Sequence, residues 1–321
     1  MSNEKVTSPE QRYFHLPLCW LQKIPENPKG AITNAICYGV LYYAKRIQYR
    51  NKEDVARQVI SDYFKDKDKM NRDLWIQIKK AGVQKAQPFE VKTIEDLGSK
   101  LGDVVSSIVR ILEEDLKFQK RCLLHYNLNR ACEYYGYDAN PALIQSHAKP
   151  VIEFQKEQEE LFGKQPITKM DHDVVKRFIE EPKDIELLCA HIGIKSLMGH
   201  MSWARTTKIA ILSRMLGSKH KKALDYLLAN DNKAKAVYDG YVNSEGIIKR
   251  LQFQKLIHRL LDQGLLKSYF GQGRFIYLSF TLEMKELAIT VKQWKSAMIH
   301  MNAEQEARKI IRGESSTQTS I

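Results

Sequence analysis

The sequence has few cysteines and no long apolar run, and these shortages exclude several classes of protein. Its five cysteines are scattered and form no CxxC pair, so neither a disulfide framework nor a common zinc motif is indicated. The longest apolar stretch, Ala31 to Ala44, is interrupted by polar residues and is too short to cross a bilayer. The polar N-terminus has no apolar core of a secretory signal. We therefore expect a cytoplasmic protein without a membrane span.

Patterns typical of catalytic and metal sites are also missing. The chain contains no GxxxxGK[ST] phosphate loop, and no carboxylate pair has the spacing of a two-metal nuclease. The run Asp171 to Asp173 includes His172, but three adjacent helical side chains point in different directions, which disfavours a metal site. Four further cysteines and histidines are irregularly spaced: Cys122, His125, Cys132 and His147. The sequence therefore predicts no cofactor, no metal ligand and no catalytic residue.

Basic charge is abundant and unevenly distributed. The formal net charge is +13 and the isoelectric point is about 9.3. Residues 1–92 carry 17 Lys and Arg against 10 Asp and Glu, residues 93–183 carry 13 against 16, and residues 184–280 carry 15 against 7. Two basic blocks therefore flank an acidic one, which favours a polyanionic partner such as nucleic acid over an evenly solvated surface.

Apolar periodicity predicts a mainly α protein with helical N-terminal and middle regions. Residues 1–92 are expected to form a basic helical module, with a helix to about Arg46 and further helices after Asn51 and Asn71. Residues 93–204 are expected to be a helical connector, in which Asn140 caps one helix and Pro150 begins another. The polar residues 313–321 are predicted to be a disordered tail.

The most informative pattern lies in residues 205–280. Within Arg250 to Gln263, apolar residues recur at helical spacing on one face: Phe253, Leu256, Ile257, Leu260 and Leu261. After Gly264, two strand-like runs rich in aromatic and β-branched residues surround the turn Gly271 to Gly273. The sequence predicts one helix that leads directly into a β-hairpin. Three shorter helices are expected before it, at Thr207–Leu216, Lys221–Ala229 and Lys235–Val242.

This helix ending LIHRLLDQGLL, followed by SYF-GQG-RFIYLSF, resembles the recognition helix and wing of winged helix-turn-helix DNA-binding proteins. The resemblance covers residues 205–280, about a quarter of the chain. It implies a winged helix that places one helix in the major groove of duplex DNA. The layout of two basic modules is similar to that of plasmid replication initiator proteins, which carry two winged helices, so residues 1–92 are either a second winged helix or a three-helix bundle.

The resemblance implies DNA contacts from the exposed face of the helix and from the hairpin, because these side chains donate hydrogen bonds to bases or phosphates. The predicted contacts are Arg250, Gln252, Lys255, His258, Arg259, Lys267, Gln272 and Arg274. We interpret Lys267 and Arg274 as phosphate contacts, and Gln252 and Arg259 as base contacts.

A stripe of apolar residues at alternating spacings of four and three continues past Phe280. Its members are Met284, Leu287, Val291, Trp294, Met298 and Met301. Such a heptad stripe in residues 281–312 predicts either the seam of a homodimer or a long helix packed on its own domain.

Three functions from different classes fit the sequence. The first is a sequence-specific duplex-DNA-binding protein, as a replication initiator or transcriptional regulator of a plasmid or phage-like element. The second is a non-catalytic module that uses the same fold for protein contacts. The third, and least favoured, is a nucleic-acid enzyme. A continuous positive band across Lys255, Arg259 and Arg274 would favour DNA, whereas an exposed apolar patch would favour a protein partner.

Overall fold

The computed structural model of the chain describes residues 13–46, 116–137, 140–181, 183–199 and 201–311. Over these ranges the chain is mainly helical with two small sheets, which confirms the predicted mainly α class. The helices predicted after Asn51 and Asn71, and the tail 313–321, lie outside the described residues.

The chain divides into two compact units. The first comprises Met1–Pro17, Lys29–Glu160 and Met170–Val175. The second comprises Leu18–Pro28, Leu161–Lys169 and Lys176–Ile321. The domain boundaries predicted at residues 92, 204 and 280 stay predictions.

The described elements before residue 172 are β1 (Tyr13–Pro17), a short 3-10 helix (Leu18–Gln22), α1 (Pro28–Arg46), α2 (Leu116–Tyr135), α3 (Pro141–Phe162) and β2 (Ile167–Asp171). Strands β1 and β2 form a two-stranded sheet. Helix α1 extends to Arg46, the last described residue of this range, and ten of its 19 residues are buried. It packs closely on β1, because a Cβ at Gly39 would lie only 2.9 Å from the Cβ of Phe14.

Helix α3 shows one correct and one wrong prediction. The side chain of Asn140 accepts a hydrogen bond from the backbone N–H of Ala142 at 2.8 Å, as a helix cap does. Pro150, however, lies inside α3 and does not begin a new helix. The lost hydrogen bond is tolerated since Ile144, Ala148 and Val151 are buried on both sides of the proline and hold the helix against its own unit.

The described elements after residue 171 belong mainly to the second unit. They are α4 (His172–Glu180), α5 (Ile185–Met198), β3 (Trp203–Thr206), α6 (Lys208–Met215), α7 (Lys221–Asn230), α8 (Asn232–Tyr241), α9 (Arg250–Asp262), β4 (Ser268–Gln272), β5 (Phe275–Ser279) and α10 (Met284–Ile311). The three helices expected between residues 207 and 242 thus correspond to α6, α7 and α8.

The three-stranded sheet of the second unit is antiparallel, in the order β3-β5-β4. Strand β5 lies in the centre, where Ser279 faces both Trp203 of β3 and Ser268 of β4. The middle of β5 is buried, and Tyr277 forms a cluster with Leu287 and Val291 of α10. The sheet is therefore covered on one face by α10.

Candidate nucleic-acid interface

Helix α9 separates its apolar and polar residues onto opposite faces. Phe253, Leu256, Ile257 and Leu260 are each at most 1% exposed. The predicted contact residues on the other face are exposed: Arg250, Gln252, Lys255 and His258. The apolar spacing in the sequence therefore correctly predicted which face of α9 is buried and which is exposed.

Two glycines shape the connection from α9 into the hairpin. Gly264 follows the helix with a φ of 67°, a backbone conformation that terminates helices and that side chains disfavour. Gly273 has a φ of 60° and lies in the two-residue turn with Arg274. The predicted turn at Gly271 to Gly273 is displaced, because Gly271 is extended and pairs with Ile276 in the ladder. Gln272 is accordingly the last residue of β4.

The side chains of His258 on α9 and Tyr269 on β4 connect the helix with the hairpin. The Nε2 atom of His258 lies 3.5 Å from the hydroxyl oxygen of Tyr269 on β4. Their rings are 6.3 Å apart in an edge-on arrangement. The exposed face of α9 and the first strand of the hairpin therefore belong to one surface.

Three of the predicted cations are available to an outside partner, two on α9 and one in the hairpin turn. Arg250, Lys255 and Arg274 are exposed. None of the three forms an ion pair with any residue that the structure describes. Arg274 contacts an aromatic ring, with its Cζ atom 4.9 Å from the centroid of Phe275. A partner with negative charge would therefore displace no internal carboxylate from these groups.

Three other predicted contact residues are engaged inside the chain. Arg259 donates hydrogen bonds to Asp184 at 2.7 Å and to Glu186 at 3.1 Å, where α5 begins. Lys267 forms a 2.7 Å ion pair with Glu283, and this carboxylate raises the pKa of the lysine above its ordinary value. Gln272 accepts a hydrogen bond from Lys295 of α10. These side chains hold neighbouring elements together as the structure stands.

Sequence reasoning missed β3 and the arginine that it carries. The Cζ atom of Arg205 lies 3.6 Å from the centroid of Phe275 and 5.5 Å from that of Trp294. Arg205 is exposed and has no carboxylate partner among the described residues. Two unpaired guanidinium groups, those of Arg205 and Arg274, thus lie against the same phenyl ring. The signal for β3 in the sequence is the alternation of apolar and polar residues from Trp203 to Thr206. A run of four residues is too short to identify a strand.

The apolar stripe predicted as a dimer seam is used in part within the chain. Leu287 is 0% exposed and Val291 is 2% exposed, because both pack on the sheet of their own unit. Trp294 meets Trp203 edge-on at 5.6 Å between ring centroids. This half of the stripe therefore matches the packed-helix alternative. Met284 is 45% exposed, and the homodimer stays a prediction.

No group of three or more His, Cys, Asp or Glu residues in the described part of the chain is arranged to hold a metal ion. His147 instead lies 3.1 Å from the amide oxygen of Asn34, measured at Nδ1. The side chains of Cys122 and His125 lie outside those described. Among the described helices, none combines the length and the apolar character needed to span a membrane.

Comparisons with protein-family models, with curated proteins and with solved structures found no match for this chain.

Proposed function

We propose that residues 205–280, together with α5, form a winged helix that binds duplex DNA in a sequence-specific manner. The order of elements supports this fold. A helix (α5), an edge strand (β3) and a second helix (α6) are followed, after α7 and α8, by a helix that enters a hairpin. The edge strand joins the hairpin in the order β3-β5-β4. Helices α7 and α8 replace the short turn of the simplest helix-turn-helix motif, so the proposed motif is an extended one.

The observation that carries the DNA proposal is a set of exposed cations, on α9 and at the hairpin, that have no carboxylate partner among the described residues. Arg250 and Lys255 project from α9, and Arg205 and Arg274 lie against Phe275 at the hairpin. Phosphate groups attract such cations over a range of sequences, whereas Gln252 and His258 supply donors suited to base edges. The engaged side chains of Arg259 and Lys267 act in this proposal mainly by positioning α9 and the hairpin.

The basic residues 1–92 add a second region for DNA in this proposal. Their structure lies largely outside the described residues. Two DNA-binding regions on one chain fit a replication initiator that binds repeated sites. They fit a transcriptional regulator of a mobile element equally well.

The test is fluorescence anisotropy with a random duplex and with a duplex selected from a library. Wild-type protein is expected to bind both at low salt, and the logarithm of the binding constant should fall by about 0.9 per phosphate contact for each unit in the logarithm of salt concentration. Lys255→Glu should weaken binding by about tenfold or more, since it removes one contact and adds a repulsive charge. The matched control is Lys156→Glu, which makes the same charge change at an exposed position of α3.

The control separates a specific surface from a general effect of net charge. If Lys156→Glu weakens binding as much as Lys255→Glu, the affinity reflects total charge and the proposed surface is wrong. Gln252→Ala should cost roughly 1 to 3 kcal/mol on the selected duplex only. Arg274→Gln should weaken all duplexes alike and reduce the salt slope by about one.

A second candidate function has one observation in its favour. Leu251, in the first turn of α9, is 72% exposed, and Ile247, three residues before the helix, is 58% exposed. Apolar side chains at the edge of a candidate interface suit a protein partner. Absence of duplex binding by the wild type at low salt would favour this function, with Leu251→Gln then expected to weaken the protein contact.

A further inference from the structure

The second unit contains an apolar cavity that the proposed DNA surface does not use. It has a volume of about 190 Å³. It is lined by the 3-10 helix with the turn that follows it and by the helices α5, α6, α7 and α8. Apolar side chains dominate its wall, among them Leu21, Ile185, Met215, Leu227 and Val237. The cavity lies entirely within one compact unit of the chain.

The three carboxylates at the wall already have partners within the protein. Glu186 accepts hydrogen bonds from Tyr241 at 2.7 Å and from Arg259 at 3.1 Å. Asp231 caps α8 by accepting from the backbone N–H groups of Lys233 and Ala234. Glu26 pairs with Lys23 at 3.1 Å. A ligand would therefore find no carboxylate that lacks a partner.

These features restrict the chemical class of a ligand. An anion would approach three carboxylates and a single lysine, Lys233, so like-charge repulsion disfavours it. A cation would have to compete with the partners that the carboxylates already have. A neutral molecule gains from the apolar wall alone. Size narrows the choice further, since a cavity of roughly 150 Å³ lined by aliphatic side chains holds benzene.

We propose that this cavity binds a small neutral aromatic molecule with either a single ring or two fused rings. One wall residue links the cavity to α9, because Glu186 lines it and also holds Arg259. We therefore expect a ligand in the cavity to change the environment of Arg259 on α9, the helix that carries the candidate DNA contacts. The binding site itself does not depend on the proposed function, whereas any effect of the ligand on DNA affinity rests on it.

The probe for the test is 5-fluoroindole, observed by fluorine magnetic resonance with the full chain. We expect a shifted or broadened resonance and a dissociation constant of about 0.1 to 1 mM, the range suited to a ligand of this size. Ala234→Phe should weaken binding at least tenfold, because the new ring would enter the cavity. The matched control is Ala236→Phe on the same helix, at an exposed position outside the cavity wall.

Ala234 packs against a core cluster that includes Leu216 and Leu224, so Ala234→Phe can also disturb folding. Val237→Phe provides the second variant, since Val237 lines the cavity but is 36% exposed and leaves room for a larger side chain. Loss of binding in Val237→Phe with retention in Ala236→Phe supports the site. No binding by the wild type, or equal binding by all three variants, overturns it.

The link to α9 has its own readout. The Nε–H resonance of Arg259, assigned by its loss in Arg259→Lys, should move when unlabelled indole is added. An unchanged resonance at saturating indole would refute the link while leaving the binding site intact. None of these measurements contains DNA, so their failure and the failure of the proposed function are distinguishable.

Discussion

Replacement of Gly193 by alanine tests the close crossing of α5 and α6, on which the proposed fold depends. A Cβ at this position would lie 2.7 Å from the backbone nitrogen of Met215 and 2.9 Å from the carbonyl carbon of Arg214. Both are backbone atoms of the neighbouring helix segment, so no side-chain rotation relieves the overlap. The two helices must separate, or α6 must shift, to accommodate one methyl group.

The magnitude follows from two opposing terms. Alanine is favoured over glycine in a helix by about 1 kcal/mol, which stabilises the variant. Overpacking against a rigid backbone costs roughly 3 kcal/mol, the upper part of the usual range. The net expectation is a loss of about 2 kcal/mol, which corresponds to a fall in melting temperature of about 4 to 8 °C for a unit of this size.

Gly240 of α8 provides a control with the opposite expected sign. A Cβ there meets nothing within 4 Å, so only the helix preference remains and Gly240→Ala should gain about 0.5 to 1 kcal/mol. Thermal unfolding followed by circular dichroism compares both variants with the wild type. If Gly193→Ala is as stable as Gly240→Ala, the helices do not cross as closely as described and the argument from their packing is refuted.

Two further predictions concern the groups around α5. Arg259→Ala should destabilise the protein by about 1 kcal/mol in urea titrations, since two half-exposed ion pairs are lost, and should leave the salt slope of DNA binding unchanged; a flatter slope at unchanged stability would make Arg259 a phosphate contact instead. Burial, with a smaller contribution from Glu186, raises the pKa of the Cys189 thiol from its ordinary value of 9.0 to about 12. Because the unfolded thiol ionises first, this residue's contribution to the unfolding free energy should be complete below pH 9 and be lost as the pH rises to about 12. The stability difference between wild type and Cys189→Ala should become less favourable to the wild type over that interval, and an unchanged difference would contradict the burial.

Local pattern was sufficient to predict the helix and hairpin at the centre of the proposal. The apolar residues of α9 recur at helical spacing, and Gly264 marks its end, so these features depend on near neighbours in the chain. Pro150 shows where the same reasoning failed. A proline usually breaks a helix, but burial of Ile144 and Val151 on either side of it outweighs one missing hydrogen bond.

The exposure of the candidate DNA contacts on α9 was also predictable, but which of them form ion pairs within the chain was not. Periodicity placed Arg259 and Lys255 on the polar side of α9, and gave no reason to distinguish them. Arg259 lies within reach of Asp184, 75 residues earlier in the chain, whereas Lys255 has no such neighbour among the described residues. An ion pair of this separation is decided by how α5 packs beside α9.

The sequence by itself determined the mainly helical class, the position of α9 and its hairpin, and the concentration of basic charge in this region, because each depends on composition or on residues a few positions apart. Only the tertiary structure decided that β3 completes the sheet, that Arg205 and Arg274 share Phe275, and that Leu287 and Val291 pack on their own unit. The physical reason is separation along the chain. Strand pairing, ring contacts and ion pairs join residues tens of positions apart, and their energies depend on a three-dimensional arrangement that periodicity does not describe.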